Sequence, residues 1–126
     1  MQYVAIVTIL LLIQYTAYSL LCGFARGKDT VVAPATSGDE KFERAFRVQM
    51  NTLEQLMVTI PAMWICAHFF SPLWAAGLGV VFMIGRLVYR QAYMSDPSTR
   101  GTGMMIGFFA NVGLMVLALW GAIGML

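Results

Sequence analysis

Residues 1–25 contain no Asp, Glu, Lys or Arg, and neither do residues 101–126. Between Val48 and Gly85 the only charged side chain is Glu54, and His68 is the only histidine in the chain. A helix crosses the hydrocarbon core of a bilayer with roughly 20 apolar residues. The outer two runs are each one crossing long. The middle run is too long for one, and Ser71-Pro72 interrupts it. Four transmembrane helices are therefore expected, over about residues 2–24, 42–69, 73–94 and 102–125. Composition agrees: 60% of residues are hydrophobic and 11% charged, whereas soluble domains carry about 25% charge. The expected fold class is an all-α membrane protein, a four-transmembrane-helix bundle forming one integral membrane domain over residues 1–126. The first segment has no basic flank and no small-residue cleavage site before Gly23, so it is expected to stay as a span.

The basic residues set an orientation. Arg26, Lys28, Lys41, Arg44 and Arg47 sit in or beside the first connection, and Arg86, Arg90 and Arg100 beside the third. The second connection and both termini carry none. The positive-inside bias places loops one and three in the cytoplasm and both termini outside. The short chain suits a bacterial inner membrane. The net charge is only +2, with all basic residues near helix ends, so nucleic acid is not an expected partner. Cys22 and Cys66 fall in different apolar segments and read as small buried apolar residues, with no metal site and no disulfide framework. Gly103, Gly107 and Asn111 recur every four residues and read as a helix-packing seam.

Two polar stripes interrupt the apolar pattern. Glu40, Arg44, Arg47, Asn51 and Glu54 are spaced four, three, four and three, which places them on one helix face. Phe46, Met50, Leu53 and Met57 are expected on the faces opposite. Arg86, Tyr89, Arg90 and Tyr93 repeat the device in the third segment. Both stripes lie at the same end of their helices and are expected to meet. Lys41 and Arg90 read as snorkelling side chains. Glu54 lies about two turns inside Arg47, where an ionisable group costs about 2.5–3.5 kcal/mol. Such a stripe is either a self-satisfying ion-pair network or a pocket for a ligand carrying both signs.

The stretch KFERAFRVQMNTLEQL (41–56), with GRLVYRQAY (85–93), resembles the motifs of the membrane-associated proteins in eicosanoid and glutathione metabolism. The resemblance covers nearly the whole chain. It implies a homotrimer that binds glutathione as co-substrate near the cytoplasmic face, between subunits. It implies that Arg26, Arg47, Gln49, Asn51, Glu54, Arg86, Tyr89 and Tyr93 hold glutathione, and that Arg100 is the catalytic residue that stabilises the thiolate. Gln55 stands where the leukotriene-forming members have a tyrosine that contacts glutathione, so the resemblance implies the loss of that aromatic contact and argues against an eicosanoid substrate. The chemistry agrees with the residue types. Arginines suit carboxylates, Glu54 suits an ammonium, and a cation beside a thiol favours its anion. The implied enzyme is a glutathione transferase, with glutathione peroxidase activity as a further option. Its second substrate is a hydrophobic electrophile or lipid hydroperoxide that arrives through the membrane lipids. Two alternatives stand beside it: a non-catalytic lipid-binding relative, and a small four-span multidrug exporter with Glu54 as its proton-coupling carboxylate.

Overall fold

The computed structural model describes residues 1–27 and 31–126, so Lys28 of the first connection lies outside the described residues. The described chain forms four long helices: α1 (Gln2–Ala25), α2 (Glu40–Phe69), α3 (Pro72–Ser95) and α4 (Gly101–Gly124). One turn of 3₁₀ helix, Pro97–Thr99, precedes α4. The helix ends are written in the sequence. Asp39 caps α2 by accepting a 3.0 Å hydrogen bond from the Phe42 N–H, and Glu40 and Glu43 in the first turn favour the positive end of the helix dipole. Ser71 caps α3, with Pro72 at the first helical position. Asp96 accepts from the Ser98 N–H at 3.1 Å. That backbone donor, helped by the Ser98 side chain, holds the Asp96 carboxyl below the usual carboxylate range. The cap it provides is therefore present above the ordinary carboxylate pKa and fades as pH falls through the lowered value.

By length and apolar content, α1, α3 and Pro97–Gly124 are each able to cross a membrane. The sequence suggests four such segments, and α2 falls short because Asn51, Glu54, Gln55 and His68 dilute its apolar character. It nevertheless runs unbroken for 30 residues, straight through Pro61. It packs against α1, α3 and α4.

One stripe of each helix builds the core. On α1 it is Val4, Val7, Leu11, Gln14, Tyr18 and Cys22. On α2 it includes Phe42, Val48, Thr52, Leu56, Thr59 and Met63. The packing seam expected on α4 is present. A Cβ on Gly103 would collide with the Tyr89 backbone and lie 2.8 Å from the Gly85 carbonyl oxygen, and one on Gly85 would lie 2.9 Å from the Gly107 nitrogen. The α3 and α4 backbones touch through these glycines, and no side chain fits between them. Gly103→Leu is expected to prise the pair apart and to destabilise the bundle by about 3 kcal/mol or more. Cys22 and Cys66 are free and buried, so a thiol-reactive dye during heating reads this directly. An unchanged melting point would refute the close contact.

Outside the core the surface is apolar. Ile6, Ile9 and Ile13 on α1 and Phe108, Phe109 and Leu119 on α4 are all exposed, the signature of a lipid-facing wall. Trp74 at the start of α3 and Trp120 near the end of α4 are exposed at the same end of the bundle, as interfacial aromatics are.

Candidate functional site

The opposite end collects the cations. The end of α1, the start of α2, the end of α3 and the start of α4 come together there. Arg44 ties two of them. Its Nη1 donates to the carbonyls of Met94 at 2.9 Å and Ser95 at 3.2 Å, while Nη2 pairs with Glu40 one turn earlier. Arg26 lies on the first connection. It donates to the Ala35 carbonyl at 2.7 Å and rests 4.5 Å from the centre of the Phe42 ring.

The α3 stripe turns inward. Arg86 is only 2% exposed. Its Nη2 donates to the Thr52 hydroxyl at 2.9 Å, and its guanidinium lies 4.2 Å from the centre of the Tyr89 ring. Thr52 passes its own hydrogen to the Val48 carbonyl at 2.7 Å, so it is free to accept from Arg86. The Arg86 Nε–H has no partner among the described residues, an expensive omission for a buried guanidinium. Tyr89 is buried and Tyr93 half-buried, with ring centres 5.5 Å apart. Arg90 leans away toward α1, 5.5 Å from the centre of the Tyr18 ring.

The α2 stripe behaves differently. Glu40, Arg47 and Glu54 are exposed, and Arg44, Gln49 and Asn51 are half-buried. Leu53 and Met57, expected on faces opposite the stripe that suit lipid or packing, are exposed at 38% and 74% as lipid-facing residues are, though they flank the stripe rather than oppose it. Periodicity tells which residues share a face, not which face turns to a neighbour. Here the inward face is the narrower row through Ala45, Val48, Thr52 and Thr59, whose small or β-branched side chains let the helices approach closely.

The two stripes therefore meet only in part. Asn51 and Gln55 from α2 and Arg86 from α3, together with Phe82, Met104, Gly107 and Phe108, line one cavity of about 100 Å³. Arg100 is exposed and donates to the Pro97 carbonyl at 2.8 Å, within its own turn. Gln49 donates to the Tyr15 hydroxyl at 3.3 Å. Glu54 remains on the outer face of α2, fourteen residues after Glu40. That is about 21 Å along the helix.

Several polar residues escaped the sequence reading. Gln14 donates to the Met83 carbonyl at 3.0 Å and Tyr18 to the Arg86 carbonyl at 3.3 Å, which fixes α3 against α1. Any signal was faint: Gln14 and Tyr18 are four apart in an uncharged run, but Thr8, Tyr15, Thr16 and Ser19 share that run. Asn111, by contrast, is expected on the α4 seam as a residue able to hydrogen-bond across a helix contact, and it does so: it accepts from the Thr59 hydroxyl at 2.6 Å and donates to Gln55 Oε1 at 3.2 Å. Thr52 gave no signal beyond its place on the inward row.

The arrangement suits an anion at the arginines, a cation at Glu54, and an apolar molecule against the cavity wall. The family profile of MAPEG matches residues 4–120. The chain is 36% identical to microsomal glutathione S-transferase 2 from Homo sapiens over 121 residues, which is 95% of this chain and 80% of that protein. It is 32% identical to leukotriene C4 synthase from Mus musculus over 122 residues, 97% of this chain and 79% of that protein. An uncharacterized protein from Synechocystis sp. is 40% identical over 115 residues, 91% of this chain and 84% of that protein.

Proposed function

The chain belongs to the MAPEG family, and from that premise we propose that it is a trimeric membrane glutathione transferase. The reading is carried by one observation: two charges of opposite sign, Arg47 and Glu54, left uncovered on a helix whose surroundings are apolar, with the half-buried Asn51 between them. An exposed carboxylate about 21 Å along such a helix is costly in lipid. A second subunit that covers this face, with a ligand between, removes the cost. Glutathione has the matching charges, two carboxylates and one ammonium. Arg47 and Arg26 take the carboxylates, with Arg26 reaching a ligand held by the next subunit. Glu54 takes the ammonium, and Gln49 and Asn51 supply amide hydrogen bonds. Arg86, Tyr89 and Tyr93 form the wall below.

Arg100 stands over this wall and holds the thiol as its anion. It cannot act as a base, because a guanidinium stays protonated. It acts by electrostatics, from the turn that joins α3 to α4 at the charged end of the bundle. The thiol enters from the aqueous end of the bundle and the apolar electrophile from the bilayer, so the site lies where the two phases meet. Conjugation is the main reaction of this reading, and reduction of lipid hydroperoxides uses the same thiolate. The charged end faces the cytoplasm, in a bacterial inner membrane.

The test is direct. Purified protein is expected to bind glutathione in calorimetry, to show the ultraviolet thiolate band on binding, and to turn over chlorodinitrobenzene. Its mass in detergent is expected to be that of three chains. A protein that binds no glutathione and turns over neither chlorodinitrobenzene nor a lipid hydroperoxide is not a transferase.

A further inference from the structure

Gln55 and Asn111 form a unit that lies beside the residues proposed to hold glutathione and is not among them. Gln55 sits on α2 and Asn111 on α4. The Thr59 hydroxyl donates to Asn111 Oδ1 at 2.6 Å, the shorter of its two contacts, the other being to the Gln55 carbonyl at 2.9 Å. That leaves the Asn111 amide nitrogen to donate to Gln55 Oε1 at 3.2 Å. Asn111 is 4% exposed and Thr59 fully buried, so the relay is sheltered from solvent. Its effect is to commit the carbonyl end of Gln55. The Nε2 end, with two N–H groups, makes no hydrogen bond among the described residues.

Gln55 also lines the 100 Å³ cavity beside Arg86, whose buried Nε–H is equally without a partner. Asn51, Phe82, Met104, Gly107 and Phe108 complete the lining. The Gln55 Nε2 is the donor that the relay orients there, while Asn51, which makes no side-chain hydrogen bond among the described residues, suits either kind of partner. A mainly apolar slot with one oriented donor fits a molecule that is apolar apart from an oxygen that only accepts. A carbonyl is that group, whereas a hydroperoxide brings a hydrogen of its own.

We propose that Gln55, oriented by Asn111 and Thr59, is a specificity-determining residue that receives the carbonyl oxygen of an apolar α,β-unsaturated aldehyde or ketone. The inference rests on the transferase reading and names its electrophile. The glutathione thiolate bonds to the β-carbon. The C=C pair shifts, and the negative charge arrives on the carbonyl oxygen, where the Gln55 N–H and Arg86 stabilise the enolate. Water then protonates the α-carbon, replacing the proton the thiol gave up, and nothing leaves. Donors fixed before the charge develops are worth most in such a step. Asn111 and Thr59 are positioning residues, since they act only through Gln55.

The experiment compares kcat/KM for a long-chain trans-enal with that for chlorodinitrobenzene, which has no carbonyl, alongside glutathione affinity by calorimetry. Gln55→Leu is expected to lower the enal-to-chloroarene ratio about 100-fold, the usual loss for one oxyanion donor. Asn111→Leu is expected to lower it on the order of 10-fold by releasing Gln55, chiefly in kcat. Gln55→Glu, which only accepts when ionised, is expected to match or exceed the leucine loss. Leucine is at home in a membrane helix, and the two positions provide independent variants should one fail to assemble. A ratio that stays within about threefold in both leucine variants overturns the proposal, whether the two activities hold or fall together. Native protein that conjugates chlorodinitrobenzene but not the enal overturns it while leaving the transferase reading intact. Native protein without glutathione binding or any turnover overturns both.

Discussion

Arg100→Ala is expected to raise the pKa of the bound glutathione thiol by about two units. A free thiol titrates near 8.5, and holding it near 6.5 takes about 2.7 kcal/mol of preferential stabilisation of the anion. Arg100 is exposed on the single chain, so an interaction of that order needs the neighbouring subunit and the ligand to shelter it from water. At pH 7 the thiolate fraction then falls roughly 25-fold. The rate falls less, on the order of tenfold or below, because the more basic thiolate is the better nucleophile. The sign fixes the shape of the profile. The anion is favoured by the cation, so removing Arg100 moves the titration toward alkaline pH, and activity recovers as pH is raised. Titration of the thiolate band with bound glutathione reads the shift. A variant that loses activity evenly at every pH, with an unmoved titration, would show that Arg100 only holds the turn after Asp96, where it now donates to Pro97.

The second large effect concerns the outer face of α2. Arg47→Leu and Glu54→Leu are each expected to weaken glutathione binding about 10- to 100-fold, the size of one lost charge-assisted hydrogen bond. Neither is expected to lower the melting point in lipid. Each removes a charge from apolar surroundings, which favours the folded chain when no ligand is present. This pair of readouts separates the two meanings of a stripe with both signs. Were Arg47 and Glu54 partners in a structural ion pair, either single change would strand the other charge and lower the melting point. The double variant would then recover part of that loss, and glutathione affinity would not follow. Affinity that stays within a factor of two in both variants would remove these residues from the site.

Much of the architecture was legible in the residues alone. The four helix boundaries follow from charge-free runs and from local chemistry: Asp39, Ser71 and Asp96 as caps, and Pro72 at a helix start. These signals are short-range and survive without tertiary context. The glycine seam of α4 was legible for the same reason, since four-residue spacing of small residues has one main use in a membrane helix. The fate of the two stripes was not. Each is written with the same helical period, yet Arg86 and Tyr89 are buried while Arg47 and Glu54 are exposed.

The amino-acid sequence by itself determined that the chain is a bundle of apolar helices, where each begins and ends, and which polar residues share a face. It also carried the family motif over residues 41–56, because that motif lies within one turn-by-turn pattern on a single helix. The tertiary structure alone decided how those helices are rotated about their axes. Rotation is set by which rows pack closest, here Gly85 and Tyr89 against Gly103 and Gly107, and Thr52 beneath Arg86. That choice turned Arg86 inward, left the α2 charges facing out, and brought Gln55 within reach of Asn111, fifty-six residues along the chain. No period within one helix encodes a contact of that kind. It follows from side-chain volumes on two helices at once.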